Sequence, residues 1–447
     1  MVLRDRSWSF VQLGLSLLVA AAPGCSEEGQ GARAAVPAQQ PAVHAERPAS
    51  NPGSDGGTAS RATPHDDDAA TPEHAGTAAS RDAAVAADAR SPVADVLALH
   101  RQAIVVDTHN DVTLRLVDQP DFDFFVRHDD GHTDLPRMIE GGLDAEFFSV
   151  WVKPRDFPGE QAWERSMAMF DAIHKTALAH PDKVVVATTA ADVRAAAAKG
   201  KTAFLIGVEG AHALGAFGSE QKALDRIKQW YDRGARYITL TWMNSNALGG
   251  SSGDNGRTKG LTELGRKAVA TMNDLGMVVD VSHVSDPTFD EAVKLSRLPV
   301  LASHSGVRAL NDHYRNLTDD MLRAIAKNGG AACIVYYPGF LDGEWAAARR
   351  RAKRSGGEMQ AEPVKLSKLV DHIMHAVEVA GVDHVCLGSD FDGIGDTPVG
   401  LEDVSKLPNL TAALRDRGLS DEDIVKILGA NVLRVLEANE RGAKVSQ

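Results

Sequence analysis

From residue 97 onward, short apolar runs alternate with longer stretches in which apolar residues recur at helical spacing. The runs at 104–107, 145–152, 203–208, 236–241, 277–281, 299–302, 332–336 and 384–388 read as eight strands. Each is apolar through most of its length, as a strand covered on both faces has to be. Helical spacing covers 161–180, 221–233, 262–275, 287–296, 318–328, 366–380 and 420–437. Thr262 and Thr318 stand where side-chain caps belong, and Asp286 precedes Pro287. Eight strands alternating with helices predict an α/β fold, a (β/α)8 TIM-like barrel with insertions; a doubly wound open sheet is the other topology this periodicity allows.

The first 96 residues follow a different rule. Arg4 and Arg6 precede an apolar stretch from Phe10 to Ala22 that is short for a bilayer span and ends at Ala21-Ala22-Pro23-Gly24-Cys25. Residues 1–25 therefore read as an export signal. Small residues ahead of Cys25 resemble the lipobox of bacterial lipoproteins, although Ala22 and Pro23 depart from its usual pattern, and a plain secretory signal is the alternative. Between 26 and 96 there is no Phe, Trp, Tyr, Leu, Ile or Met, so this Ala/Pro/Gly-rich linker cannot bury enough apolar surface to offset its ordering entropy. The expectation is an exported bacterial protein, tethered through Cys25 to the periplasmic or outer face of the envelope, with its folded domain at 97–442. The anchor is the only membrane contact expected.

Charge narrows the partners. Asp plus Glu outnumber Lys plus Arg by 61 to 48, a formal net charge of −13, which does not suit a nucleic-acid backbone. The Arg-rich insertion at 340–362 reads as a solvated helix face or loop. Cys333 and Cys386 each sit in a strand-like run and are expected as separate buried thiols.

Reactive residues of an α/β barrel collect at the carboxyl ends of its strands. The first expected strand runs into Asp107-Thr108-His109-Asn110-Asp111, the third into Glu209, the fifth into Ser282-His283, the sixth into Ser303-His304 and the eighth into Ser389-Asp390. His109 and Asp111 are two apart, so in extended backbone both point to one side and can grip one divalent ion. His283 and His304 could hold a second, and Glu209, with two oxygens, could bridge the pair. Two cations about 3.5–4 Å apart activate a water and polarise a carbonyl, and mixed imidazole and carboxylate donors suit zinc, with manganese or cobalt left open.

The segments VVDTHND, IGVEGAHAL, GLTELGRKAVATMNDLGMVVDVSHVS, VLASHSGVRALNDHYRNLTDDML, CIVYYPGF, VCLGSDFDGI and GANVLRVLE resemble, in order over 98–437, the membrane (renal) dipeptidase family of zinc metallopeptidases. The resemblance implies a (β/α)8-type barrel with two zinc ions, His109 and Asp111 on one, His283 and His304 on the other, and Glu209 bridging. It implies hydrolysis of dipeptides, those with a C-terminal D-residue included, by a metal-bridging hydroxide. It further implies that Arg315, in HYRNLTDD, binds the substrate's terminal carboxylate and that Asp390 handles protons and contacts the free amine. A surface ion pair with Asp319 or Asp320 is the alternative for Arg315, and a turn cap the alternative for Asp390.

One position departs from the family. Mammalian members carry His in Leu-Thr-His after the fourth strand, whereas this chain has Leu240-Thr241-Trp242. An indole N–H only donates, so either Trp242 lends a hydrogen bond or a stacking wall, or Asn244 takes over. Other histidines, His128, His132, His174, His180, His212, His313, His372, His375 and His384, are expected to be structural or exposed. Competing functions are a hydrolase of cyclic amides on the same barrel and a lipoprotein that binds dipeptides or metal without turnover. Oligomeric state stays open, a homodimer included.

Overall fold

The structure, a computed structural model, describes residues 92–444; the expected signal sequence, Cys25 and most of the expected linker lie outside them. Helix Pro92–Gln102 opens the described chain, so ordered structure begins inside the segment expected to be linker. Nine strands follow: β1 (Val106–Asn110), β2 (Ala145–Trp151), β3 (Val184–Val186), β4 (Thr202–Glu209), β5 (Ala235–Thr239), β6 (Val278–Asp280), β7 (Leu301–Ser305), β8 (Ala331–Ile334) and β9 (Val385–Leu387). Eight pair in parallel in the order β1-β2-β4-β5-β6-β7-β8-β9. At the carboxyl ends the sheet meets itself, where the Asp390 N–H donates to His109 O (3.0 Å) and the Asp111 N–H to Phe391 O (2.8 Å). The fold is a parallel (β/α)8 barrel, and the open sheet is set aside.

β3 was not expected. It pairs with the first residues of β4, Val184 opposite Thr202, before β5 takes over from Ile206. Three residues with only one fully buried are too short for periodicity to register.

Alternation along β4 builds both layers of the core. Phe204, Ile206 and Val208 pack outward with Phe148, Val150 and the surrounding helices. Ala203 and Leu205 join Phe147, Tyr237, Cys333 and Cys386 in a second cluster, to which helix Asn431–Gly442 adds Val432, Leu433, Val435 and Leu436. Glu209 continues the Ala203, Leu205, Gly207 side of the strand and so reaches the barrel mouth. Position 207 has to be glycine, because any Cβ there would collide with the Tyr237 ring.

Cys333 and Cys386 correct an expectation. They stand opposite each other on β8 and β9 and are joined as a disulfide. Strand pairing between residues 53 positions apart created that proximity, and neither apolar run carried a sign of it. The Arg-rich insertion is a helix, Gly343–Ser355, which buries Trp345, Ala346 and Ala348 and leaves most of its arginines outward.

Candidate metal centre

Four strand ends deliver the donors, and Glu209 stands between them. Its Oε2 lies 3.6 Å from His109 Nε2, which is also 3.6 Å from Asp111 Oδ2. Its Oε1 lies 2.9 Å from His283 Nε2 and 3.5 Å from His304 Nε2. The carboxylate therefore offers one oxygen to each histidine set, and all five expected donors meet. Asp390 closes the first set: its carboxylate, Asp111 and His109 present donor atoms all within 4.8 Å of one another.

Neighbouring hydroxyls fix which imidazole nitrogen is free. Tyr237 donates its single hydrogen to Thr108 O (3.0 Å), so at His109 Nδ1 (2.9 Å) it can only accept. In its neutral form His109 then carries its proton on Nδ1 and turns Nε2 into the site, where that atom is buried and has no hydrogen-bond partner. Ser303 repeats the device, giving its hydrogen to Asp280 Oδ2 (2.7 Å) and accepting from His304 Nδ1 (2.8 Å). Asp280 Oδ1 also takes the main-chain N–H groups of Ser282 (3.0 Å) and Ser303 (2.9 Å), tying the ends of β6 and β7 together. Such outer partners orient metal ligands and raise their basicity.

Electrostatics leave the donors ready for a cation. Burial drives His283 down to about 3 and, with His109 nearby, His304 well below its usual range, so both are neutral. Burial alone would raise Glu209, but His109, His283 and His304 outweigh it and hold the carboxyl well below the usual range. His109 runs the other way: burial lowers it, Tyr237, Glu209 and Asp111 more than offset that, and the ring keeps a proton. A bound cation would take the place of that proton. Unpartnered Nε2 of His109 and Oδ1 of Asp111, both buried, complete a donor set that fits divalent metal.

Backbone strain is concentrated here. Among the described residues, His283, Asp390 and Asp392 are the non-glycine residues with positive φ, at 66°, 62° and 61°. Asp390 follows the β9 seam, and a Cβ on Gly393 would press into the Asp111 and Asp390 carboxylates. Burial, with Asp111 and Glu209 facing it, pushes Asp390 well above the usual carboxylate range.

Beside the donors opens a cavity of about 180 Å³ lined by Asp111, Leu114, Trp151, Glu209, Trp242, His283, Arg315, Phe340, Asp390, Asp392 and Gly393. Arg315 is buried, not on the surface. Its Nη2 donates to His304 O (3.0 Å), its Nε has no partner, and burial lowers it to about 10. Asp319 and Asp320 pair instead with His375 and Arg323, which removes the surface ion pair as its role. Trp242 forms a wall with Trp151, ring centroids 4.9 Å apart. Asn244 is not among the lining residues; its amide reaches only Ser245 O, at 3.5 Å.

Tyr237, Asp280, Ser303 and Trp151 were missed. Asp280 was visible as a lone carboxylate closing an apolar strand, but the others act through partners distant in the chain. Most off-site histidines bond main-chain carbonyls, His212 to Val152 O (2.7 Å) among them. His132 does more: its Nδ1 accepts the Asp392 N–H (2.9 Å) while Asp392 Oδ1 accepts the His132 N–H (2.9 Å), clamping the turn that carries Asp390.

A sequence profile of the membrane dipeptidase family (peptidase family M19) matches residues 93–447. The chain belongs to that family. It is a metallopeptidase, a hydrolase of dipeptidase type. Dipeptidase aclJ of Aspergillus oryzae is 35% identical over 330 residues, 72% of this chain and 73% of the relative. Among solved structures, a metallo peptidase of the same family, dipeptidase AC, is 32% identical with a TM-score of 0.66, covering 75% of this chain and 98% of that one. A metallo peptidase from Rhodobacter sphaeroides, solved with a phosphinate mimic of L-Ala-D-Ala, is 30% identical with a TM-score of 0.66, covering 75% and 99%. Membership in the dipeptidase family favours dipeptides over cyclic amides as substrates, and turnover over passive binding.

Proposed function

We propose that this membrane dipeptidase relative is an exported zinc enzyme that hydrolyses dipeptides, those with a C-terminal D-residue included. His109 and Asp111 would hold one zinc ion and His283 and His304 the other, with Glu209 placed to serve both. The division of the Glu209 oxygens between two histidine sets carries this reading. When bound, such a pair of cations lowers the pKa of a water and polarises the scissile carbonyl. Arg315 offers its fork to the terminal carboxylate, in keeping with a buried guanidinium whose Nε has no partner. Asp390, pushed up by burial, holds a proton it can hand to the leaving amine. Trp242 and Trp151 form an apolar wall that excludes water, and the Trp151 N–H, buried and unpartnered, is left free to donate.

A C-terminal D-residue is supported by the L-Ala-D-Ala mimic bound to the Rhodobacter sphaeroides relative. Export and a tether at Cys25 rest on the N-terminal pattern and on a buried disulfide, which belongs to oxidising compartments. The test is hydrolysis of L-Ala-D-Ala and L-Ala-L-Ala by the purified, zinc-loaded protein, alongside metal analysis. The expected result is free alanine, its release abolished by a chelator, with about two zinc ions per chain and fewer in Glu209→Gln. No alanine under metal-replete conditions overturns the activity, and unchanged zinc content in Glu209→Gln overturns the bridge.

A further inference from the structure

His283 lacks what the other two site histidines have. Tyr237 meets Nδ1 of His109 and Ser303 meets Nδ1 of His304, at 2.9 and 2.8 Å. His283 Nε2 faces Glu209 Oε1 and His304 Nε2, 2.9 Å from each, which puts Nδ1 on the far edge of the ring. There Nδ1 is buried and, among the described residues, has no hydrogen-bond partner. His283 also lines a chamber of about 10 Å³, whose walls include Arg315, Asn316, Ser305, Val281 and Val284. Arg315 and His283 line the larger cavity as well, so they form the partition between the two spaces. Arg315 Nε and Asn316 Oδ1 are likewise buried without a partner, in residues only 3% and 1% exposed. Asp286 and Arg308, also in the wall, are paired with each other, at 2.7 and 2.9 Å.

Resting on the dipeptidase reading, we propose that this chamber holds one ordered water, kept by Arg315 Nε and Asn316 Oδ1, which serves as the outer partner of His283. A buried water needs about 10–15 Å³ of such space and two to four polar partners, and the chamber supplies both. The water accepts from Arg315 Nε–H, which only donates, and donates to Asn316 Oδ1, which only accepts. One lone pair and one hydrogen remain for His283 Nδ1, in either role. Both roles are required. His304 carries its proton on Nδ1, so its Nε2 only accepts, as does the Glu209 carboxylate. The neutral His283 ring therefore keeps its hydrogen on Nε2, and its Nδ1 accepts. With a cation on Nε2 the hydrogen sits on Nδ1 instead, and Nδ1 donates. Chloride serves the second state alone. A water turns from one role to the other, so His283 takes up or releases a metal without leaving a buried N–H unmet. Arg315 keeps Nη1 and a second Nη2 hydrogen for the substrate carboxylate, and Asn316 becomes a positioning residue for the second histidine set.

The test is a crystal structure of the zinc-loaded protein, repeated after a bromide soak, with hydrolysis of L-Ala-D-Ala measured on the same preparation. Expected is one water within about 2.7–3.2 Å of His283 Nδ1, Arg315 Nε and Asn316 Oδ1, and no bromide peak. Val281→Ile and, separately, Val284→Ile add a methylene to the chamber wall to displace the water. Each is expected to lower zinc affinity at one of the two sites about tenfold, read by competition with a chromophoric chelator. The other site is expected to keep its affinity, a selectivity that a loosened fold would not show. A dry chamber, a bromide in it, or variants that lose the water yet bind both ions as wild type does would overturn the proposal. In each of those cases continued cleavage of L-Ala-D-Ala leaves the dipeptidase reading standing. Water in place with no cleavage under metal-replete conditions overturns that reading alone.

Discussion

Two hydroxyl groups decide which nitrogen His109 and His304 offer to a cation. Removing the Tyr237 hydroxyl leaves His109 Nδ1–H without an acceptor and frees the ring to adopt the wrong tautomer. Tyr237→Phe is expected to weaken zinc binding about 10–100-fold, with Ser303→Ala doing the same at His304. Competition with a chromophoric chelator measures both; unchanged affinity would refute the tautomer argument. Acid acts on the other nitrogen of the same ring. His109 holds a second proton above its usual range, so under the proposed zinc reading a bound ion would displace it, and affinity is expected to fall as pH drops and that proton becomes harder to remove. Proton release on zinc addition to unbuffered protein would be the direct sign. The donors themselves were legible because each closes a separate apolar run. Tyr237 and Ser303 were not, since their roles exist only across strands.

At the scale of elements, Asp144 ties three strands at the barrel's lower end. Its Oδ2 accepts the Val105 N–H (2.9 Å) just before β1, it directly precedes β2, and its carbonyl accepts the Ala203 N–H of β4 (2.7 Å). Burial raises its carboxyl from 3.8 to about 6. Between those values the native state keeps a proton that the unfolded chain has released, so stability falls as pH rises through the window. Asp144→Asn keeps an acceptor and removes the charge. It is expected to stabilise the fold by about 1–2 kcal/mol at pH 7.5 and by little at pH 4, read by urea unfolding at both. Helices expected from periodicity at 161–180, 221–233 and 262–275 begin and end within a residue of Glu160–Ala179, Glu220–Asp232 and Glu263–Leu275. Six-residue helices such as Thr113–Asp118 and Leu135–Glu140 are too short to repeat an apolar face, and went unread.

Across the whole molecule, eight of the nine strands and the barrel were legible, because each of those eight is an apolar run separated from the next by a helix or turn. What could not be read was which runs become neighbours, and the Cys333–Cys386 bond is the clearest case. It closes a loop of 53 residues inside the core, where a reductant reaches it only through opening of the fold. Refolding in the presence of dithiothreitol is expected to give a protein about 2–4 kcal/mol less stable than one refolded oxidised; equal stability would show that the bond contributes nothing. The seam between β1 and β9 has a consequence in time. All five metal donors are made before residue 305, yet the bonds that align His109 and Asp111 come from Asp390 and Phe391. A polypeptide still emerging from its ribosome thus carries every candidate donor before it has the residues whose bonds close the barrel over them.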